Sequence, residues 1–403
     1  MLLNRADVDS DWTARPTPQQ PSPLKVVNRV VERTPVSLKS ARRLSLKQAL
    51  SPVATPCYIN GLFDEIMLEI FKHLPNKTLG RCACVCRRWQ RLAYADRLWT
   101  RVDLGGKKVS VHLVHDLIDR KLSVMRLAQT QVLWEDEIED EISYAREDDG
   151  ISYDNSAFRS DLGSRLHPSH LKYLDLSMVH CSSPLMVEDI LKRCVRLRGL
   201  SLESLPLSET SCQAIAANSR LQMLNLTMCR DLTGSSMIHI LSSCSELREL
   251  NIAWCGFSSA EVSSICAELP TGLVRLNFSG CRGTMSDDDV LTLVTRCANL
   301  EELDLSDCAE IQKDGILHVQ QFLDDLKVAH FSRCYKIPPV HYTHLSHLNE
   351  VNIFGLLETN DLETIRKTLA PKTKVNVTYF STIARPTTGI RRTSIWTVRT
   401  RDE

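Results

Sequence analysis

The sequence predicts a mixed α/β protein: a small three-helix module, then a curved solenoid of repeats with a parallel sheet. Two observations predict this fold class. A short apolar pattern recurs eight times at nearly constant spacing from residue 171 onward. Ahead of it, residues 60–103 show helical periodicity and lack the pattern. A pattern held in register over many copies indicates one structural unit stacked on the next.

The recurring pattern is clearest in Leu247-Arg-Glu-Leu-Asn-Ile-Ala-Trp-Cys255. Its copies begin at Leu171, Leu197, Leu221, Leu247, Leu273, Leu300, Leu326 and Leu348. Subtracting these numbers gives steps of 22 to 27 residues. This is the period of a leucine-rich repeat, in which LxxLxLxx is followed by asparagine or cysteine and then a helix. One unit cannot bury its apolar face alone, so neighbouring units stack.

Each predicted strand also presents polar side chains, because successive side chains point to opposite faces. We expect one polar position per strand to line the concave face: Asp175, Ser201, Asn225, Asn251, Asn277, Asp304, His330 and Asn352. On the rim beyond the strands lie Trp254, Arg282, Asp307 and Arg333, a set rich in the residue types of interface hot spots. The two arginines could bind phosphate or carboxylate through paired hydrogen bonds. Solvation or pairing along the ladder is the alternative.

Composition argues against several classes of function. Lys plus Arg and Asp plus Glu both number 49, and this neutral balance argues against nucleic acid as the main partner. No apolar run of about 18 residues and no signal-peptide core occur, so we expect neither a membrane span nor export. The 15 cysteines are an odd number and fall mostly at repeat-fixed apolar positions. We therefore expect free buried thiols rather than disulfides.

Signatures of metal binding and catalysis are weak. Two groups of potential ligands have regular spacing: Cys82, Cys84 and Cys86, and His341, His344 and His347. The cysteines would not share one face of a helix, and the histidines have no carboxylate or cysteine nearby to complete a set. A Gly-rich phosphate loop, H-E-x-x-H and G-x-S-x-G are all absent from the sequence. We expect a non-catalytic protein without a metal or cofactor.

Residues 1–56 are predicted to be a disordered regulatory tail, because they are rich in proline, basic and without sustained periodicity. Candidate phosphorylation sites precede a proline or, at position 45, follow two arginines: Thr17, Ser22, Thr34, Ser45, Ser51 and Thr55. The motif Arg42-Arg-Leu-Ser-Leu46 resembles a cyclin-docking motif, in which a cation and spaced leucines enter an apolar groove. A solvated linker with nothing bound is the alternative.

Residues 57–103 are predicted to form the helical module. Its candidates for a partner-binding surface are apolar and aromatic: Leu62, Phe63, Ile66, Ile70, Leu74, Val85, Trp89, Leu98 and Trp99. So short a segment makes a poor stand-alone core, so we expect it to leave apolar surface for a partner. A module that merely caps the solenoid is the alternative.

Three further segments complete the predicted organisation. Residues 104–164 link the modules, with atypical first repeats near residues 102–104 and 124–127 and an acidic surface insertion over 135–164. Residues 165–378 are the repeats, with residues 375–377 as their last strand. The basic tail, residues 379–403, is long enough to fold back over the concave face, since an extended chain spans roughly 3.3 Å per residue. We expect it to lie opposite acidic residues of that face: Glu249, Glu302, Asp304 and Glu350.

Residues 60–103 resemble an F-box, the three-helix module that docks on the adaptor of SCF ubiquitin ligases. Followed by cysteine-type repeats, this module is similar to the F-box/leucine-rich-repeat family. Phe380-Ser-Thr-Ile-Ala-Arg-Pro-Thr-Thr-Gly389 and Ile395-Trp396 extend the resemblance, which covers roughly residues 60–134 and 165–400. One departure is Phe63, which stands where most F-boxes carry proline.

The resemblance implies the substrate-recognition subunit of an SCF-type E3 ubiquitin ligase, acting on phosphorylated cell-cycle regulators such as cyclin-dependent kinase inhibitors. It implies three partners: the adaptor S-phase kinase-associated protein 1 with cullin and RING subunits, a small cyclin-dependent kinase regulatory subunit, and phosphorylated substrates. A cyclin at residues 42–46 is a further expected partner, which the docking motif alone indicates. It places six residues in the surface for accessory protein and substrate: Trp254, Arg282, Asp307, Arg333, Tyr379 and Arg385. We expect the protein in nucleus and cytoplasm. A repeat scaffold outside the ubiquitin system is the alternative function.

Overall fold

The computed structural model describes residues 58–133, 168–181, 185–355, 359–369, 372–386 and 394–399. The predicted tail over 1–56, with its phosphorylation sites and cyclin-docking motif, lies outside the described residues. The predicted insertion over 135–164 lies outside them too. Within the described residues the predicted fold class is confirmed, because a small helical module precedes a curved solenoid whose strands form a parallel sheet.

Three short helices form the N-terminal module: α1 (Asp64–Lys72), α2 (Asn76–Ala83) and α3 (Arg87–Ala93). The 3₁₀ turns Tyr58–Gly61 and Asp96–Leu98 flank them. The helices enclose a small core around Met67, Phe71 and Leu79, which are at most 1% exposed. Trp89 meets the ring of Phe71 edge-on, with centroids 5.3 Å apart. The core of the module therefore combines aliphatic side chains with this aromatic contact.

Parallel strands build the solenoid. Within the described residues the main sheet has eleven strands: β1 (Arg101–Asp103), β3 (Val124–Arg126), β5 (Tyr173–Asp175), β7 (Gly199–Ser201), β8 (Met223–Asn225), β9 (Glu249–Asn251), β10 (Arg275–Asn277), β11 (Glu302–Asp304), β12 (Val328–His330), β13 (Glu350–Asn352) and β14 (Lys374–Val375). The register is constant, so that Leu250 pairs with Leu224 on one side and Leu276 on the other. These central leucines are fully buried.

Helices cover the other side of the sheet. In the part of the chain that the structure describes they are α4 (Val111–Asp119), α5 (Leu185–Arg193), α6 (Glu209–Ala216), α7 (Gly234–Ser243), α8 (Ser259–Glu268), α9 (Asp287–Arg296), α10 (Lys313–Phe322) and α11 (Thr359–Leu369), with the 3₁₀ helix Pro339–Leu345 between the last two. A second sheet contains, among the described residues, three short parallel strands: β2 (Lys108–Ser110), β4 (Gln131–Leu133) and β6 (His180–Cys181). Near the C-terminus, β15 (Ser394–Ile395) and β16 (Val398–Arg399) form an antiparallel hairpin.

The helix starts are joined to one another by acidic side chains. Glu261, in the first turn of α8, accepts a hydrogen bond from the N–H of Ser258 at its own helix start (3.0 Å). Its second oxygen accepts from the N–H of Gly234, the first residue of α7 in the preceding repeat (2.7 Å). These backbone hydrogen bonds lower the pKa of Glu261. One carboxylate thus caps two consecutive helices, whose first N–H groups have no partner within the helix.

A left-handed residue follows each regular strand of the main sheet. These residues stack from repeat to repeat: Gln129, Met178, Ser204, Met228, Trp254, Gly280, Asp307, Arg333 and Gly355. In every member of this row from Met178 through Arg333, the backbone N–H donates to a carbonyl of the next repeat. The Trp254 N–H, for example, donates to the Ser279 carbonyl at 2.9 Å. The left-handed turn is unfavourable for residues other than glycine. The stacked hydrogen bonds hold it, and the row of side chains that results forms one rim of the solenoid.

The polar column that we expected on the concave face is buried there, because its side chains bond to their own turns, to neighbouring repeats and, at Asn251, to the tail. All eight of its members are at most 5% exposed: Asp175, Ser201, Asn225, Asn251, Asn277, Asp304, His330 and Asn352. The Asn251 Oδ1 accepts a hydrogen bond from the N–H of Ala253 two residues on (3.1 Å), and Asn277 does the same with Ser279. The side chains fold back to satisfy the turn, because buried backbone donors need acceptors.

Asp175 generates a prediction about stability. Its Oδ1 accepts from the Ser177 N–H (3.0 Å), the bond that asparagine makes in later repeats. Burial raises the pKa of Asp175 to about 6, although Arg126 lies 3.5 Å from its other oxygen. The ionised form of the Asp175 carboxyl is therefore less stable in the folded protein than in the unfolded chain. We expect Asp175→Asn to raise the free energy of unfolding at about pH 7.5 by roughly 2 kcal/mol.

The sign of this effect follows from the two pKa values. Below about pH 4 the carboxyl is protonated both folded and unfolded, so the advantage of the variant should vanish there, and it should grow as pH rises to about 6. Urea unfolding of both proteins at three pH values measures it. Asn225→Asp should produce the opposite change. A difference between Asp175→Asn and the parent that does not vary with pH would contradict the assignment.

Candidate functional site

The outer surface of the helical module carries exposed apolar side chains. Of the nine predicted residues, four are exposed: Phe63 (75%), Ile66 (46%), Ile70 (42%) and Val85 (62%). Ile66 and Ile70 lie one turn apart on α1, and Val85 lies in the connection between α2 and α3. Large apolar side chains grouped on a surface and left without cover are typical of protein-binding sites.

The other five predicted residues contribute to the module itself. Leu98 is buried, and Leu62, Leu74 and Trp89 pack against the same small core. Leu74, a predicted member of the partner-binding surface, is half-buried and packs against this core. Trp99 donates its indole N–H to the Ala93 carbonyl (2.7 Å) and packs against the cores of both module and solenoid.

A salt bridge sets the angle between the first and third helices of the module. Asp64 on α1 accepts hydrogen bonds from Arg88 Nε (2.9 Å) and Arg91 Nη2 (2.6 Å) on α3. The hydrogen bond from Arg88 lowers the pKa of Asp64. Because α1 carries Ile66 and Ile70 and the start of α3 adjoins Val85, these ion pairs hold together the two helices that present the exposed side chains.

The rim of the solenoid holds a second candidate site. Trp254, Arg282, Asp307 and Arg333, which the sequence singles out, line one open pocket of about 420 Å³ together with Ala309 and Tyr335. They come from four consecutive repeats. Trp254, Asp307 and Arg333 are members of the left-handed row, whereas Arg282, Ala309 and Tyr335 each lie two residues beyond it.

The charged groups of this rim pocket already have partners of different kinds. The guanidinium carbon of Arg282 lies 4.9 Å from the ring centroid of Trp254. Arg333 Nε donates to Asp307 Oδ1 (2.6 Å), and a second hydrogen bond joins the other ends of the two groups. Donation of these hydrogen bonds to the Asp307 carboxylate raises the pKa of Arg333. Of the two arginines, Arg282 is the one without an acidic partner among the described residues, so its charge is available to an anion.

The C-terminal tail supplies aromatic side chains beside the rim but does not bring both predicted residues there. Tyr379 is 60% exposed and meets Phe354 and Phe380 edge-on, at 4.9 and 4.6 Å between centroids. Arg385 instead pairs with Glu203 (3.3 Å), which follows β7, whereas the rim pocket follows β9 to β12. Arg385 therefore lies outside the rim pocket.

The tail crosses the concave face by backbone contacts more than by charge. Asn251 Nδ2 donates to the Ile383 carbonyl (3.0 Å), and the Ala384 N–H donates to Glu249 Oε2 (3.2 Å). Two of the other acids expected to face the tail pair elsewhere, Glu302 with His330 and Glu350 with Asn352. Glu249 is thus the member of the expected acidic set that contacts the tail.

Sequence reasoning missed Tyr335 at the rim. A signal for it exists, because Arg282, Ala309 and Tyr335 occupy one repeat position, two residues after the left-handed turn. The half-buried Phe354, within the last repeat copy, and the exposed Phe380 of the tail were also missed.

A larger groove of about 860 Å³ lies beside the second sheet, and its lining combines apolar side chains with polar ones such as Gln131, His180 and Arg230. Within the described residues no group of His, Cys, Asp or Glu could hold a metal ion. None of the helices described there combines the length and apolarity needed to cross a bilayer.

Comparison with known proteins agrees with this architecture. A family model described as F-box-like matches residues 62–105, and one described as SKP2 LRR domain matches residues 154–403. The chain belongs to the SKP2 LRR domain family. The SKP2 LRR domain match includes the repeats that carry the rim pocket, and the F-box-like match includes the helical module with its exposed side chains.

Individual relatives are distant. The chain is 24% identical to lysine-specific demethylase 2B of Mus musculus over 66% of its own length and 19% of that protein. It is 24% identical to F-box/LRR-repeat protein 21 of Mus musculus over 62% of its own length and 59% of that protein. It therefore spans less than two thirds of either relative. The leucine-rich repeat-containing protein LegL7 from Legionella pneumophila aligns with 52% of this chain and 77% of its own, at 17% identity and a TM-score of 0.36.

Gly280 gives a prediction about the rim. A Cβ at this position would lie 2.5 Å from Trp254 Cδ2, so the indole occupies the space that a side chain would need. We expect Gly280→Ala to displace Trp254 and shift its indole N–H resonance in a tryptophan-labelled NMR spectrum.

Gly256 provides the matched control, because its φ is also positive (+77 against +87) but nothing lies within 4 Å of the position that a Cβ would take there. Both variants should lose roughly 1 kcal/mol from the left-handed backbone. Gly256→Ala should leave the Trp254 resonance in place. Equal shifts in the two variants would show that backbone strain, rather than the steric contact, moves the ring.

Proposed function

We propose that the chain is the substrate-recognition subunit of an SCF-type E3 ubiquitin ligase complex, a counterpart of S-phase kinase-associated protein 2. The observation that carries the proposal is the exposed apolar patch on the F-box-like module, formed by Phe63, Ile66, Ile70 and Val85. It faces away from the module core and has no cover within the described chain. The adaptor, S-phase kinase-associated protein 1, would bury this patch and link the chain to cullin and RING subunits.

The energetics suit such docking. Full burial of a large apolar side chain contributes roughly 1.5–3 kcal/mol. Four such side chains on a preformed helical surface can offset much of the entropy lost on association. The ion pairs of Asp64 with Arg88 and Arg91 hold the helices before the partner arrives. Such pre-organisation limits the ordering that binding requires.

We expect Ile66→Asp and Val85→Asp each to weaken adaptor binding by at least about tenfold, because a carboxylate would have to be desolvated within an apolar interface. The measurement is calorimetric titration of purified chain with adaptor. Val340→Asp is the matched control, because Val340 is equally exposed (65%) but lies in the repeats. Tight adaptor binding by both module variants would overturn the proposed interface.

In this proposal the chain performs no chemistry and needs no cofactor. It would hold the substrate near the catalytic subunits, and proximity would convert an encounter between separate molecules into a reaction within one complex. The rim pocket and the tail aromatics would form the substrate side. Arg282 offers a positive charge, while Trp254, Tyr335 and Tyr379 offer partly exposed rings. Such a surface suits a protein partner with an anionic group.

The finer part of the proposal concerns what binds there. We propose that the rim takes a small cyclin-dependent kinase regulatory subunit together with phosphorylated cell-cycle regulators, such as cyclin-dependent kinase inhibitors. A phosphate adds about two negative charges, so capture would begin with phosphorylation. Nuclear and cytoplasmic location, cyclin docking at residues 42–46 and phosphorylation of the N-terminal segment belong to the same proposal.

We expect Arg333→Glu to weaken capture of accessory subunit and phosphopeptide by at least about tenfold, because it replaces the partner of Asp307 with a second carboxylate. Lys336→Glu makes the same charge change three residues away, at a side chain paired with Glu310, and should have little effect. Adaptor binding should survive in both. Parallel loss of adaptor binding and capture would indicate unfolding instead.

A repeat scaffold outside the ubiquitin system is the second candidate. It is favoured by Trp99, which packs against both cores and makes the module a cap of the solenoid. The adaptor titration separates the two functions, because a cap would not bind the adaptor.

A further inference from the structure

The C-terminal hairpin inserts one aromatic side chain into the concave face. Trp396, at the turn between β15 and β16, is 8% exposed, and its ring centroid lies 6.1 Å from that of Tyr173 on β5. The ring sits over Gly199, where an added Cβ would be only 3.0 Å from Trp396 Cε3. The absence of a side chain at Gly199 therefore creates the notch that the indole fills.

The hairpin forms its own small apolar cluster. Ile395 is fully buried and groups with Trp396 and Val124 of β3. This cluster is separate from the continuous core between sheet and helices. Loss of the hairpin contact should therefore leave the solenoid folded, because the repeats do not depend on it for burial of their leucines.

Trp396 also holds the other part of the tail. Its indole N–H donates to the Ala384 carbonyl (2.9 Å), while the Ala384 N–H donates to Glu249 Oε2 (3.2 Å). Ala384 is fully buried and has a φ of +54°, which a residue with a Cβ adopts only at a cost. The peptide is thus held from both sides, by the sheet below and by the indole above.

The position of Ala384 determines the path of the tail toward the rim. Ile383, the preceding residue, is buried and its carbonyl accepts from Asn251. Four residues earlier, Tyr379 reaches Phe354 beside the rim pocket. Gly199 belongs to β7, and Arg333 follows β12, five strands further along the main sheet. At about 4.8 Å per strand, the Gly199 notch lies roughly 24 Å from Arg333, at the far end of the rim pocket.

We propose that Trp396 is a positioning residue: by seating in the Gly199 notch and bonding Ala384, it fixes the tail across the concave face and sets Tyr379 and Phe380 beside the rim pocket. Only the effect of Trp396 on capture rests on the proposed function. The effect of Trp396 on the position of the tail rests on the contacts alone.

The test uses the full chain bound to its adaptor and compares Trp396→Ala with Trp396→Phe. Phenylalanine keeps an aromatic ring for the notch but has no N–H to donate to Ala384. We expect amide exchange across residues 379–386 to accelerate by at least about tenfold in Trp396→Ala and by a smaller factor in Trp396→Phe. Exchange within β9 and adaptor affinity should stay unchanged.

A second variant changes the sheet side of the contact, at Gly199. Gly199→Ala leaves the tail sequence intact but places a methyl group 2.9 Å from Tyr173 Cδ1 and 3.0 Å from Trp396 Cε3, so it should crowd the indole and also accelerate exchange over residues 379–386. If both changes act through one contact, the double variant should exchange no faster than Trp396→Ala alone. Additive acceleration would overturn the shared-notch assignment.

Capture of accessory subunit and phosphopeptide provides the functional readout. Trp396→Ala should weaken it at least about fivefold, with partial rescue in Trp396→Phe. Unchanged exchange over residues 379–386 in Trp396→Ala would overturn the positioning role. Faster exchange with unchanged capture would overturn its link to the rim. Absence of capture by the parent chain would refute the proposed function, and the exchange result would still decide the role of Trp396.

Discussion

The stacking of one repeat on the next is the interaction on which the rest of this structure depends. Each strand places its central apolar residue, such as Leu250, between the same residues of its two neighbours. A single repeat has no such neighbours and could not bury that side chain. The same register sets the left-handed turns one above another, and so decides which side chains reach the rim. Trp254 and Arg282 meet because successive strands pair without a shift.

Much of this arrangement could be predicted from the sequence. Period and alternation locate the strands, and because the register is constant they also bring Trp254, Arg282, Asp307 and Arg333 together. The burial of Asn251 and its equivalents could not be predicted by alternation, which identifies a face but not what the side chain does there. Those side chains fold back on their own turns, and the tail covers Asn251 as well. The pairing of Arg333 with Asp307 also depends on a contact across repeats.

The helical module shows a different limit. The helical spacing of apolar residues in α1 is compatible with more than one buried face. In the structure Met67 and Phe71 form the buried face, so Ile66 and Ile70 are exposed. Leu98 and Trp89 were grouped with the partner surface because the sequence marks them only as large and apolar. Whether such a residue faces a core or a partner depends on how three short helices pack, and the Asp64 ion pairs that set this packing join residues 24 and 27 positions apart.

The capping carboxylates on the convex side have a consequence for how the solenoid comes apart. Glu261 serves the starts of both α7 and α8, and Asp289 accepts from Ser263 on α8 as well as from its own helix start. Fraying of one helix therefore deprives its neighbour of an acceptor. Opening should spread along the convex surface in blocks of several repeats, instead of one unit detaching at a time from the end.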